Sequence, residues 1–132
     1  MNNYRDETNY IVVHASDTAV DTNAKYLTTL HRKKGYMENG FHIVIKQDGA
    51  VEQGRHINRC GQHIEGNSEV TNKNSIGVCL IGYKEFTEAQ YISLKKVVKE
   101  LRKEFPNVET VGHNDLTNSK CPYFSVAEKL GI

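Results

Sequence analysis

Apolar positions along the chain fall into two periods, and the switches between them lay out the elements. Tyr10-Ile11-Val12-Val13-His14 is a short apolar run with polar flanks, the pattern of a buried strand whose last residue emerges at a sheet edge. Ala15 to Asn23 is rich in Ser, Asp and Thr and reads as loop. Ala24, Leu27, Leu30 and His31 then recur at helical spacing, and the run closes on Arg32-Lys33-Lys34-Gly35, basic residues in a last turn before a glycine stop. Gly40 to Lys46 and Ala50 to Gly54 flank Gln47-Asp48-Gly49, whose Asp-Gly pair signals a hairpin turn. Arg55 to Asn74 keeps neither period and reads as a long loop. In a compact domain such loops are commonly functional, often as a wall for substrate.

Ser75 to Ile81 is another buried strand by the same criterion. Thr87 as N-cap and Gln90 three residues on form a capping box. Tyr91 or Ile92, Leu94, Val97, Val98, Leu101 and Phe105 continue it as one apolar stripe, which Pro106 ends. Val108-Glu109-Thr110-Val111, rich in β-branched residues, predicts a short strand. A loop from Gly112 follows, and Pro122 at its far end blocks regular pairing. Ser125 caps a short last helix, Val126 to Leu130. Strand, helix, hairpin, long loop, strand, helix, strand, loop and helix make an α/β pattern. The expectation is a single domain with a central mixed β-sheet flanked by helices.

Composition narrows the class. The 132 residues suffice for one domain with a real core, and 38% hydrophobic against 25% charged residues is ordinary for a globular protein. Lys and Arg number 17 against 16 acidic residues, so no clustered basic excess marks a nucleic-acid partner. The apolar runs are far too short for a membrane span, and stable membrane insertion is not expected. The polar start, Met1 to Thr8, has no apolar core of a signal peptide. Three cysteines at irregular spacing, Cys60, Cys79 and Cys121, argue against a disulfide scaffold and for synthesis in a reducing compartment.

The chemistry concentrates in Gly112-His113-Asn114-Asp115-Leu116-Thr117-Asn118-Ser119-Lys120-Cys121-Pro122, which holds an imidazole and a thiol at the two ends of one loop. Both are good zinc ligands, but two do not make a tight site. His14 is the third candidate, because it and His113 each follow a strand, and strand ends are where ligands gather in open α/β sheets. If those strands are neighbours, both imidazoles reach one rim and the loop returns Cys121 over it. Three protein ligands leave a fourth tetrahedral position free, as in catalytic zinc sites. Spacing alone leaves the commoner reading open, that each histidine is a polar rim residue.

Several ordered blocks carry a further signal: Ile11-Val12-Val13-His14-Ala15-Ser16, Gly40-Phe41-His42-Ile43-Val44-Ile45-Lys46-Gln47-Asp48-Gly49, Val51-Glu52-Gln53-Gly54-Arg55, Asn74-Ser75-Ile76-Gly77-Val78-Cys79-Leu80-Ile81-Gly82, Phe86-Thr87-Glu88-Ala89-Gln90 and the His113 to Pro122 loop. Together, over about Tyr10 to Phe124, they resemble the zinc-dependent N-acetylmuramoyl-L-alanine amidases and peptidoglycan recognition proteins, and most of all the small phage lysozyme-type amidases. The resemblance implies a zinc-floored groove, with one Zn2+ held by His14, His113 and Cys121. It also implies hydrolysis of the amide between N-acetylmuramic acid and L-alanine in peptidoglycan.

Two positions depart from the family's pattern. Its catalytic tyrosine falls on Phe41, which has no hydroxyl, and its lysine or threonine falls on Ser119, with Lys120 one place late. Losing one donor aimed at a developing oxyanion costs on the order of 10²–10³ in rate. Ser119 can donate a hydrogen bond but brings no positive charge. Lys120 is a second candidate, and His63 a third, as a groove imidazole able to carry a proton. Phe41, Arg55 and Asn74 are candidates for contacting glycan or stem peptide.

The competing reading is a module that holds muropeptide without cutting it, favoured by Phe41 and opposed by the intact ligand set. One small phage amidase also inhibits its phage RNA polymerase, which the resemblance makes a candidate second partner; a monomer is expected. A phage or prophage lysin fits the polar start: made in the cytoplasm of the infected or lysogenic bacterium and released to the wall. A domain trimmed from a longer secreted protein fits it equally. Cys79 reads as a buried core residue and Cys60 as a free thiol. His31 reads as a surface or groove-edge residue, and His42 as packed on the side of its strand opposite Phe41.

Overall fold

The computed structural model describes residues 4–132, so Met1 to Asn3 of the polar start lie outside it. Strand β1 (Tyr10–Ala15) belongs to a five-stranded sheet that also contains β2 (Ile43–Ile45), β3 (Val51–Gln53), β4 (Ser75–Leu80) and β5 (Glu109–Gly112). The order across the sheet is β3-β2-β4-β1-β5. The pairs β2·β4, β4·β1 and β1·β5 are parallel and only the β2·β3 hairpin is antiparallel, so the sheet is mixed, as the sequence pattern predicts.

Alternation along the strands sorts the core into two faces. Ile11 and Val13 of β1, Ile76, Val78 and Leu80 of β4, and Ile45 of β2 point to one side, where they meet Leu94, Val98 and Leu101 of helix α2 (Glu88–Glu104). The helix begins on the expected capping box: Gln90 N donates to Thr87 Oγ1 and Thr87 N to Gln90 Oε1. The fully buried Gln90 amide also donates to the carbonyls of Ile45 and Ile81, tying the helix to the ends of β2 and β4. On the other side, Val44, Cys79 and Ile81 pack against Ala24 and Leu27 of helix α1 (Ala24–Lys33). Val12 packs on that side with Ile64 and Val70 of the long loop.

The register explains where the chemistry goes. β1 and β5 run parallel side by side, with Val13 opposite Gly112, so their C-terminal ends lie together. His14 shares the face of Val12, toward α1 and the long loop. The segment after β5 departs from a plain loop. His113 opens a single helical turn, α3 (His113–Leu116), because Asp115 Oδ2 accepts from Gly112 N at 2.8 Å and caps it. Ser125 caps the last helix, α4 (Val126–Leu130), as its sequence predicts. No described helix is long and apolar enough to cross a membrane.

Candidate metal centre

His14, His113 and Cys121, 107 residues apart from first to last, offer one ligand atom each, and these atoms all lie within 4.8 Å of one another. Three ligands on one tetrahedral zinc, at ~2.0–2.3 Å from the metal, stand roughly 3.3–3.8 Å apart, so the set fits a single ion after a contraction of about an ångström. Two imidazoles and a thiol are also the donor chemistry that zinc prefers over harder cations. Each ligand is placed by the fold: His14 by β1, His113 by the first turn after β5, and Cys121 by the returning loop. That loop is latched: Cys121 N donates to Ser119 Oγ at 3.1 Å, and Ala15 N donates to the Cys121 sulfur at 3.0 Å.

The electrostatics describe a site made for neutral imidazoles. His14 is only 3% exposed, and burial, reinforced by the neighbouring His63 and His113, holds its pKa well below the usual value. Burial likewise lowers His113. Burial pushes the Cys121 thiol up to about 11, against the opposing pull of the Ala15 N–H. A metal cation is what would turn that thiol into a thiolate at neutral pH.

The three ligands line a cavity of about 460 Å³ together with Phe41, His63 and Ser119. The Phe41 ring stands 5.1 Å from the His14 ring, centre to centre. His63, on the long loop, meets His14 edge-on, its Nδ1 2.9 Å from His14 Nε2, and its Nε2 lies 3.2 Å from Ser75 Oγ. Both nitrogens are therefore engaged, and burial lowers its pKa to about 3, far from that of a free proton carrier. Ser119 accepts from Cys121 N, which leaves its hydroxyl hydrogen free to face the cavity.

Three candidates lie elsewhere. Lys120 is exposed and off the cavity wall. Arg55 is 8% exposed and donates to the carbonyls of Asn39 and Cys60, with Glu38 beside it. Asn74 braces the long loop, accepting from Thr71 N and donating to Glu69 O.

The sequence reading did not single out Asp17, Tyr36 and Asn72, which also line the cavity. Asp17 holds a φ of 57°, and its negative charge acts on both His113 and Cys121. An acidic residue three places past a strand-end histidine is the signal that could have marked it. His31, which the sequence predicts at the surface or groove edge, is on the wall: its Nδ1 accepts from Gly40 N at 2.8 Å, and its ring stands 5.6 Å from that of Phe41.

Residues 4–124 match the N-acetylmuramoyl-L-alanine amidase family. The chain belongs to that family. The endolysin of Klebsiella phage KP32 is 32% identical over 92% of this chain and 85% of its own length. Among solved structures, the Ph2119 endolysin from the Thermus scotoductus MAT2119 bacteriophage Ph2119 superposes with a TM-score of 0.82 at 26% identity, covering 99% of this chain and 92% of that one. A peptidoglycan recognition protein, bumblebee PGRP-SA, shares the fold at a TM-score of 0.84 and 21% identity, over 99% of this chain and 85% of its own. The amidase family thus includes this chain, and the phage endolysins are its relatives.

Proposed function

We propose that this amidase is a zinc enzyme of the endolysin type, hydrolysing the amide that joins N-acetylmuramic acid to L-alanine in peptidoglycan. The observation that carries the reading is the convergence of His14, His113 and Cys121 on one point in the cavity floor, with a face left open to it. Zinc held there supplies a Lewis acid that polarises the amide carbonyl and lowers the pKa of water.

The chain's own residues do the rest. Ser119 turns its hydroxyl hydrogen toward the place where negative charge develops on the amide oxygen. Phe41 offers an apolar face at the position where a hydroxyl would give a second donor, so turnover is slower than in relatives that keep it, by on the order of 10²-fold. Asp17, at the rim beside His113 and Cys121, supplies a carboxylate within the cavity for holding a proton or an amide N–H of the stem peptide.

Phe41 also favours a second reading, a module that binds muropeptide without cleaving it. Dye release from labelled peptidoglycan, with and without a chelator, separates the two. The amidase reading expects release that stops with chelator and returns with zinc. Binding to wall without any release would sustain the module instead.

A further inference from the structure

We propose that His63 is a positioning residue for the metal: it takes the Nε2–H of His14 and so makes Nδ1 the ligand atom of that imidazole. The inference rests on the zinc reading above and adds to it which atom binds and what holds it.

A chain of hydrogen bonds fixes both tautomers from its far end. Ser75 Oγ lies within hydrogen-bond distance of the Thr71 carbonyl, which can only accept. A serine hydroxyl has one hydrogen, so it is spent there, and Ser75 must accept at its other contact. That contact is His63 Nε2, at 3.2 Å, which therefore carries the N–H. A neutral imidazole has one protonated nitrogen, so His63 Nδ1 is a lone pair. It stands 2.9 Å from His14 Nε2, which must donate to it. The lone pair of His14 is then on Nδ1, and only that atom is free for a cation.

The fold builds a seat for this one ring. A Cβ at Gly77, on β4, would stand 2.8 Å from His63 Cγ, and one at Gly61 would stand 2.5 Å from its Cδ2. The backbone there is pinned as well, because the N–H groups of His63 and Ile64 both donate to Asn72 Oδ1, at 3.0 and 3.1 Å. His42, the other imidazole nearby, is not a rival partner: its Nδ1 accepts from Gly77 N and its Nε2 lies 2.7 Å from the Arg59 carbonyl. A ligand histidine whose second nitrogen donates to a fixed acceptor keeps both its tautomer and its ring angle.

Zinc affinity, measured by competition with a chromophoric chelator on the full chain, tests this without reference to activity. His63→Leu fills the seat without an acceptor and is expected to weaken zinc binding about 10–100-fold. His63→Asn places Oδ1 near the lost Nδ1 and should recover most of it. In zinc-free wild type, long-range ¹H–¹⁵N spectra should show both His14 and His63 protonated at Nε2, a readout that does not depend on any variant folding. A Nδ1–H form of either ring overturns the proposal. So does Leu matching wild type, or Asn as weak as Leu. Failure of wild type itself to bind one zinc would instead remove the reading beneath it.

Discussion

Acidifying the metal-free protein should destabilise it by an amount that counts its enclosed imidazoles. His14, His42 and His63 are all held below their ordinary pKa chiefly by burial, His42 at about 4 and His63 at about 3. A folded pKa below the unfolded one means stability fully present above about pH 6.5 and lost as pH falls toward the folded value. At pH 5.5 the unfolded chain gains about 1.4 kcal/mol per histidine by taking up a proton, against about 0.2 kcal/mol at pH 7. Three such residues give a loss of about 4 kcal/mol, and near pH 5.5 a slope approaching 4 kcal/mol per pH unit. For a chain of this size that lowers Tm by roughly 15 °C. His31 and His113, lowered but half open, add a smaller effect of the same sign, while Asp17, raised by burial, works weakly against it. Urea unfolding of chelator-treated protein at a series of pH values measures the slope. His63→Asn should reduce it by about a third, since one of three titrating groups is gone. A loss under about 1 kcal/mol between pH 7 and 5.5, or an unchanged slope in the variant, refutes the reasoning.

Three other outcomes follow from the site. Phe41→Tyr should raise kcat on peptidoglycan by about 10²-fold with little change in KM; an unchanged rate means that another donor already fills the place. Because the Cys121 thiol is pushed up to about 11 and must ionise to hold zinc, apparent zinc affinity should rise about tenfold per pH unit from pH 7 to 9, with one proton released per ion by calorimetry in two buffers. Gly77→Ala drives a methyl to within 3.0 Å of three His63 ring atoms, so urea unfolding should show a loss of about 1–3 kcal/mol and chelator competition a weaker zinc site.

Periodicity made β1, β4 and both long helices readable, because each buries one regular stripe or a short run with clear ends. It also put His14 and His113 at strand ends, which the parallel pairing of β1 and β5 brings together. The sheet order was not readable: β4 sits between β2 and β1 by long-range pairing that no local pattern encodes. The hairpin strands are shorter than their apolar runs, yet the ladder continues past them: the Phe41 carbonyl accepts from Arg55 N, the His42 carbonyl from Gly54 N, and His42 N donates to the Gly77 carbonyl, while Gln62 N of the long loop donates to the Gly40 carbonyl. Arg55 looked like a groove residue and is instead a buried brace, since a side chain's partners 16 places back along the chain leave no trace in spacing. For His63 the loop position suggested proton transfer, whereas the seat made by Gly61 and Gly77 is a property of tertiary contact alone.

The central claim is metal-dependent cleavage of one bond, and the products of wall digestion test it most directly. Purified peptidoglycan treated with zinc-loaded protein should yield new L-alanine amino groups without new reducing sugar ends. The yield should vanish with chelator and return when zinc is restored, and Cys121→Ser should give none with or without added zinc. Reducing ends in place of alanine amines, or amines released equally in the presence of chelator, would contradict it.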